Sequence, residues 1–135
     1  MMDEESQKIN EIQRKIKEGR WGDILNLHRY TADRLLPLAE AFRDPNCKLQ
    51  ELTLCDCGIT NKQLLPLVEA FRGLTTLEEL CLCINNIGNT GCRSLTTLLE
   101  DPSCSIKSLN IGNNNISNGE YFIRWIGKQY KVTET

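Results

Sequence analysis

A strand-and-helix unit occurs three times in this chain, and that internal repeat limits the possible folds more than any other feature. LQELTLCDCGIT starts at Leu49, LEELCLCINNIG at Leu77 and IKSLNIGNNNIS at Ile106, so the starts are almost evenly spaced. Each reads as L-x-x-L-x-L-x-x-[N/C]-x-I with Ile allowed for Leu. The segments TADRLLPLAEAFRDPNC, TNKQLLPLVEAFRGLTT and GNTGCRSLTTLLEDPSC repeat in step with them. Two patterns in register, using the same apolar positions, are not a chance outcome.

Each unit has a physical reading. Leu52 and Leu54 stand two apart, as do Leu80 and Leu82, and Leu109 and Ile111. Period two places each pair on one face of a short strand. A turn follows, closed by Cys57, Asn85 or Asn114, with Ile59, Ile87 or Ile116 pointing inward. An Asn side chain at that point can bond backbone groups of adjacent turns. The helix that comes next carries Leu64, Leu67, Val68 and Phe71 in one unit, and Leu95, Leu98 and Leu99 in the next. That spacing buries one helix face. A single unit cannot bury both halves alone, so the units must stack, strands on one side and helices on the other.

These segments resemble the leucine-rich repeats of the ribonuclease-inhibitor type, and especially those at the C-terminus of NOD-like receptors. The resemblance rests on residues 44–60, 77–91 and 101–117, including the Pro-x-Cys that places Cys47 and Cys104 before two of the strands. It implies an α/β fold: a short, right-handed solenoid with parallel strands on the concave side and helices on the convex side. It also implies that the concave face is the binding surface. Two departures stand out. Gln63 occupies the place of Gly91, and Gly119 comes one residue early. The resemblance carries a fold and no receptor activity.

With 135 residues the chain is expected to be one domain. The repeat divides it into an N-terminal cap helix (1–20), a degenerate first repeat (21–48), repeats at 49–76, 77–105 and 106–120, and a C-terminal cap helix and tail (121–135). In residues 3–18 the stripe Ile9, Ile12, Ile16 suits a helix laid over the first repeat, with a docking helix as the alternative. Counting back by the interval that separates Leu35 from Leu64 puts Leu25 under Leu54, His28 under Cys57, Tyr30 under Ile59 and Asp23 under Leu52. That alignment predicts a poor first strand, with Trp21 over its edge. At the other end Tyr121, Phe122, Trp125 and Tyr130 make the last helix apolar on more than one side. It is read as a terminal cap, or as a surface for dimerisation or docking. Residues after Lys131 are expected to be loose.

Composition excludes several function classes. Eighteen acids against 16 bases leave a net charge of -2, so nucleic acid and anionic membranes are not expected partners. No apolar run is long enough to span a bilayer, and MMDEESQKIN lacks the basic and apolar regions of a secretory signal. The expected location is cytoplasmic. Seven cysteines without an export signal read mainly as free thiols. The single histidine, His28, is expected to be buried and hydrogen-bonded, and no nucleophile or nucleotide-binding motif is present. No catalytic residue, metal or cofactor is therefore assigned.

The strand residues between the leucines form rows on the outward face: Glu51, Glu79, Ser108; Thr53, Cys81, Asn110; Cys55, Cys83, Gly112. Cys55 and Cys83 hold equivalent places on neighbouring strands, within disulfide range, and the C-x-C spacing differs from the usual C-x2-C of metal knuckles. The expected function is a non-enzymatic protein-interaction module. An unidentified protein partner would bind at Glu51, Thr53, Cys55, Glu79, Cys81, Cys83, Ser108 and Asn110, or at Tyr121, Phe122 and Trp125. A basic segment would suit Glu51 and Glu79. A monomer is expected, with a dimer through the C-terminal end left open. The alternatives are a GTPase-activating or other regulatory factor, and a redox or metal switch built on Cys55, Cys81 and Cys83.

Overall fold

The computed structural model describes residues 2–117 and 131–133. In chain order the elements are α1 (Glu4–Lys17), β1 (Ile24–His28), α2 (Ala32–Leu35), α3 (Pro37–Phe42), β2 (Glu51–Cys55), α4 (Asn61–Gly73), β3 (Glu79–Cys81), α5 (Asn89–Glu100), β4 (Ser108–Asn110) and β5 (Lys131–Thr133). All neighbouring strands are parallel, and their order in the sheet is their order in the chain. The fold is α/β, with helices joining the successive parallel strands from β1 to β4.

Inward strand residues pack against the helices. Leu25 and Leu27, Leu52 and Leu54, Leu80 and Leu82, and Leu109 and Ile111 are all buried. So are the helix stripes Leu64, Leu67, Val68, Phe71 and Leu95, Leu98, Leu99. Phe42 and Phe71 meet at 6.1 Å between ring centroids and join adjacent units. These residues form one cluster from Ile9 to Ile111.

Short strands leave most of the backbone bonding to the turns. At each strand entrance one carbonyl accepts two N–H groups of the next unit. Asp23 accepts from Gln50 and Glu51, Gln50 from Glu78 and Glu79, and Glu78 from Lys107 and Ser108, at 2.7–3.1 Å. At the strand exit Asn85 joins two units. Its side-chain oxygen accepts the N–H of Cys57 and Ile59 at 3.0 and 3.1 Å, and its NH2 donates to the carbonyls of Leu54, Leu82 and Cys83 at 2.8–3.2 Å. Asn114 repeats the arrangement one unit on, accepting from Ile87 N–H at 2.9 Å and donating to Leu82, Ile111 and Gly112. Cys57, at the same place, donates its thiol to the Cys55 carbonyl at 3.2 Å.

Every unit turns out of its strand through a residue with positive φ: Arg29 (61°), Asp56 (54°), Ile84 (56°) and Asn113 (56°). Asp and Asn tolerate this left-handed conformation, whereas a β-branched residue is strained in it.

Gly91 and Gln63 differ for a steric reason. A Cβ on Gly91 would lie 2.6 Å from both Asn61 Oδ1 and Ile87 Cγ2. That close approach lets Asn61 accept the N–H groups of Gly88 and Gly91 at 2.9 and 3.0 Å. In α4 the same helix position completes a capping box instead. Thr60 N–H donates to Gln63 Oε1 at 3.0 Å and Lys62 N–H to Thr60 Oγ1 at 3.3 Å.

The N-terminal helix buries Ile9, Ile12 and Ile16 and packs along α3. Arg34 pairs with Asp3 at 2.6 Å and with Glu5 at 3.2 Å, and Glu5 also accepts the Thr31 N–H at 3.0 Å.

Three expectations are corrected. The first strand is well formed, and its register pairs Leu25 with Leu52, Leu27 with Leu54 and His28 with Cys55. The helices keep the longer interval from Leu35 to Leu64, so the first turn is two residues shorter than the second. His28 consequently ends a strand on the outward face and is exposed, not buried. Val132 and Thr133, expected to be loose, pair with Leu109 and Asn110 within β5 (Lys131–Thr133). The backbone groups on the far side of β4 thereby find partners, and Val132 and Thr133 are β-branched.

Two substitutions test the turns. Asn85→Ala leaves two turn N–H groups without their acceptor and should cost about 3 kcal/mol, a fall in Tm of about 10 °C. Ile84→Asn relieves left-handed strain at a half-exposed position and should gain about 1 kcal/mol, raising Tm by about 3 °C. Thermal melts followed by circular dichroism check both. An unchanged Tm for Asn85→Ala, or a lowered one for Ile84→Asn, contradicts the turn assignment.

Candidate functional site

The sheet face opposite the helices carries the residues that alternate with the buried leucines. The register aligns Ile24, Glu51, Glu79 and Ser108 in one row, and Asn26, Thr53, Cys81 and Asn110 in the next. In the third row His28 pairs with Cys55, the Asp56 N–H donates to the Cys83 carbonyl at 3.2 Å, and the Ile84 N–H donates to the Gly112 carbonyl at 2.9 Å. The eight residues expected on this face are thus brought together on it. Glu79 is exposed, while Glu51, Thr53, Cys81, Cys83, Ser108 and Asn110 are half-buried. Cys55, on the outward side of its strand as expected, is nevertheless only 6% exposed. Tyr121, Phe122, Trp125 and the C-terminal cap helix lie outside the described residues.

Electrostatics divide the face into two parts. At the strand entrances the Glu79 carboxylate, chiefly by charge repulsion, pushes the Glu51 carboxyl above its ordinary value, with burial and Asp23 acting in the same direction. At the strand exits three thiols converge. Cys55 Sγ lies 2.6 Å from Cys83 Sγ and 3.2 Å from Cys81 Sγ, and Cys81 and Cys83 are 3.2 Å apart. Burial first, then the other two thiols, raise the Cys55 thiol far above its ordinary value. Burial also raises Cys83, partly offset by its hydrogen bond with Cys55. Neutral thiols of this kind are poor nucleophiles. Arg29 and Asp56 form an ion pair at 3.2 Å beside the cluster.

The sequence pairs Cys55 with Cys83 by spacing and groups both with Cys81 as an alternative site, and the structure brings the three sulfurs together, since residues i and i+2 of a strand share a face beside a third aligned Cys. A separate groove of about 510 Å3 opens at the strand entrances, where Gln50, Thr76, Glu78 and Lys107 line it. The Lys107–Glu78 ion pair, at 2.9 Å, lies in its wall.

Parallel strand, Asn- or Cys-closed turn and returning helix, recurring at nearly constant intervals, make the chain similar to proteins of the leucine-rich-repeat class. No protein-family model matches the chain. Individual relatives do. It is similar to "NACHT, LRR and PYD domains-containing protein 5" of Homo sapiens, 37% identical over 82 residues, which is 61% of this chain and 7% of that protein. It is similar to "NACHT, LRR and PYD domains-containing protein 1a allele 1" of Rattus norvegicus, 34% identical over 80 residues, 59% of this chain and 7% of the relative. It is also similar to the "Ribonuclease inhibitor" of Mus musculus, 36% identical over 72 residues, 53% of this chain and 16% of the inhibitor. The chain therefore spans only a small part of the length of these relatives. Among solved structures, "Leiomodin-1 Actin-Binding Site 2 (ABS2)" superposes with a TM-score of 0.77 at 15% identity, covering 94% of this chain and 79% of the other, a likeness of fold. The resemblance read from residues 44–60, 77–91 and 101–117 is thus shown by relatives of both kinds. No helix among the described residues is long and apolar enough to cross a membrane.

The carboxylate pair sets a pH dependence. A carboxyl raised in the folded state holds its proton there more tightly than in the unfolded chain, so its contribution to stability is lost as pH rises through the folded value. Glu51→Gln should therefore raise Tm at pH 7, and the gap to the unsubstituted protein should close below about pH 4, where Glu51 is itself neutral. Melts across this range test it. A gap independent of pH removes the repulsion as its cause.

Proposed function

We propose that this chain is a non-enzymatic protein-interaction module whose outward strand face takes a basic segment of a partner protein. The observation that carries this reading is the Glu51–Glu79 register, which holds two carboxylates side by side at the start of the face. A cationic side chain set between them relieves their repulsion, so binding energy is gained at a site that is electrostatically unfavourable when free. Thr53, Asn110 and Ser108 beside them supply hydrogen-bonding groups at the half-buried level of the sheet. The relatives support the reading as proteins named for leucine-rich repeats or as an inhibitor of a ribonuclease, and the solved neighbour as one named an actin-binding site.

We further infer that the units wind as a short right-handed solenoid, since parallel crossovers take that hand and short strand spacing makes their face the concave one. In this reading residues 1–20 are the end cap, 21–48 the first repeat, and 49–76, 77–105 and 106–120 the rest. The reduced thiols suit a cytoplasmic setting.

The test is affinity capture from a native lysate with the unsubstituted protein and with Glu51→Lys/Glu79→Lys, both checked for the same circular dichroism spectrum. The expected result is a protein retained by the first, eluted by moderate salt, and reduced about tenfold or more on the second. Equal capture by both, or capture by neither, overturns the assignment of this face. Trp125→Ala then tests the C-terminal aromatics.

A further inference from the structure

We propose that Cys55, Cys81 and Cys83 form a binding site for a thiophilic d10 cation, zinc(II) or copper(I). The inference is independent of the partner-binding reading and concerns the other end of the strand face.

The placement of the three cysteines is not required by the repeat. The residues aligned with Cys81 are Asn26, Thr53 and Asn110, and those in the row of Cys55 and Cys83 are His28 and Gly112. The hydrophobic core lies on the opposite side of the sheet, where Cys57 turns inward and bonds backbone carbonyls. Three soft donors therefore meet at positions where polar or small residues serve the fold equally well. Their sulfurs are the only group of three or more potential metal donors that comes together among the described residues.

The sulfur triangle can open to take a cation. Sulfurs bound to one cation at about 2.3 Å stand about 3.8 Å apart. The observed separations of 2.6, 3.2 and 3.2 Å require the triangle to open by about an ångström, within reach of small side-chain rotations. The strands that hold them are fixed by ladder hydrogen bonds and by Asn85, so the donors are organised before any ion arrives. Thiolate donors select zinc and copper(I) over harder ions such as magnesium or calcium. Three thiolates complete a trigonal copper(I) site. Zinc takes a fourth ligand, which solvent or His28, aligned with Cys55 at the end of β1 but outside the sulfur cluster, would supply.

The binding step balances without a redox partner. Each S–H bond that breaks leaves its electron pair on sulfur to form the metal–sulfur bond, and its proton passes to buffer. Up to three protons leave per cation, and neither metal nor sulfur changes oxidation state.

The experiment uses the full chain, reduced with a phosphine, stripped with chelator and kept under argon. Zinc(II) is titrated against a chromophoric chelator, copper(I) against bathocuproine disulfonate, and native mass spectrometry counts bound ions. Cobalt(II) is added as a spectroscopic stand-in for zinc. The expected result is one ion per chain for at least one metal, with intense sulfur-to-cobalt charge-transfer bands near the ultraviolet. Cys81→Ser and Cys83→Ser, both half-exposed and so tolerant of the change, should weaken binding by more than about a hundredfold, beyond the loss of an outer-shell partner. Cys104→Ser, in the groove at the strand entrances, should leave it unchanged. His28→Ala should weaken zinc and spare copper(I) if the imidazole is the fourth ligand; zinc retained at full strength assigns that position to solvent and leaves the three-sulfur site standing. The proposal is overturned by three results: no stoichiometric binding of either metal, binding that survives Cys81→Ser and Cys83→Ser alike, or a Cys55–Cys83 disulfide that persists after reduction.

Discussion

A parallel sheet made of strands three to five residues long cannot satisfy its own turns, and the side chain of Asn85 does so for two units at once. Its oxygen and both its amide hydrogens are used, on backbone groups that would otherwise lie unpaired between sheet and helices. Asn114 does the same one unit on. Once these turns are fixed, the strands fall into register, the leucines share one face, and the helices return over them. The outward rows are then a by-product of the register, with spacing imposed by the backbone and side chains released from packing duty. That freedom is what allows one end of the face to be acidic and the other to gather sulfur.

Much of this was legible from the sequence because alternation and helical spacing report directly on burial. The inward leucines of β2, β3 and β4, the stripes of α4 and α5, and the row Glu51, Glu79, Ser108 all stand where period two and period 3.6 place them. Periodicity says little about loop length. The short first turn displaced Asp23, His28 and Tyr30 from the positions reached by counting back a full helix interval, and so a well-formed strand read as a poor one. The β5 strand was missed for another reason: so short a segment holds too little pattern to be distinguished from a tail until a sheet edge is there to pair with it.

The site was legible in its rows and not in its contacts. Alignment across strands put Cys55 opposite Cys83, but the convergence with Cys81 depends on side-chain direction along and across the sheet together. Asn61 was overlooked because its role, accepting the N–H groups of Gly88 and Gly91 in the next unit, leaves no periodic trace. Gly91 was the visible half of that pair, and its steric requirement explains why the preceding unit can carry Gln63 in its place.

Chain order and sheet order coincide from β1 to β5, with a mechanical consequence. The ladder hydrogen bonds lie along the direction in which the units stack, so tension applied through the two ends of the array pulls on them lengthwise, one strand pair at a time. Such a structure opens by peeling from an edge instead of shearing as a block. At the β1 end α1 is tied in through the ion pairs of Arg34 with Asp3 and Glu5. Under load the units would be released in sequence, strand pair by strand pair, each at a modest force.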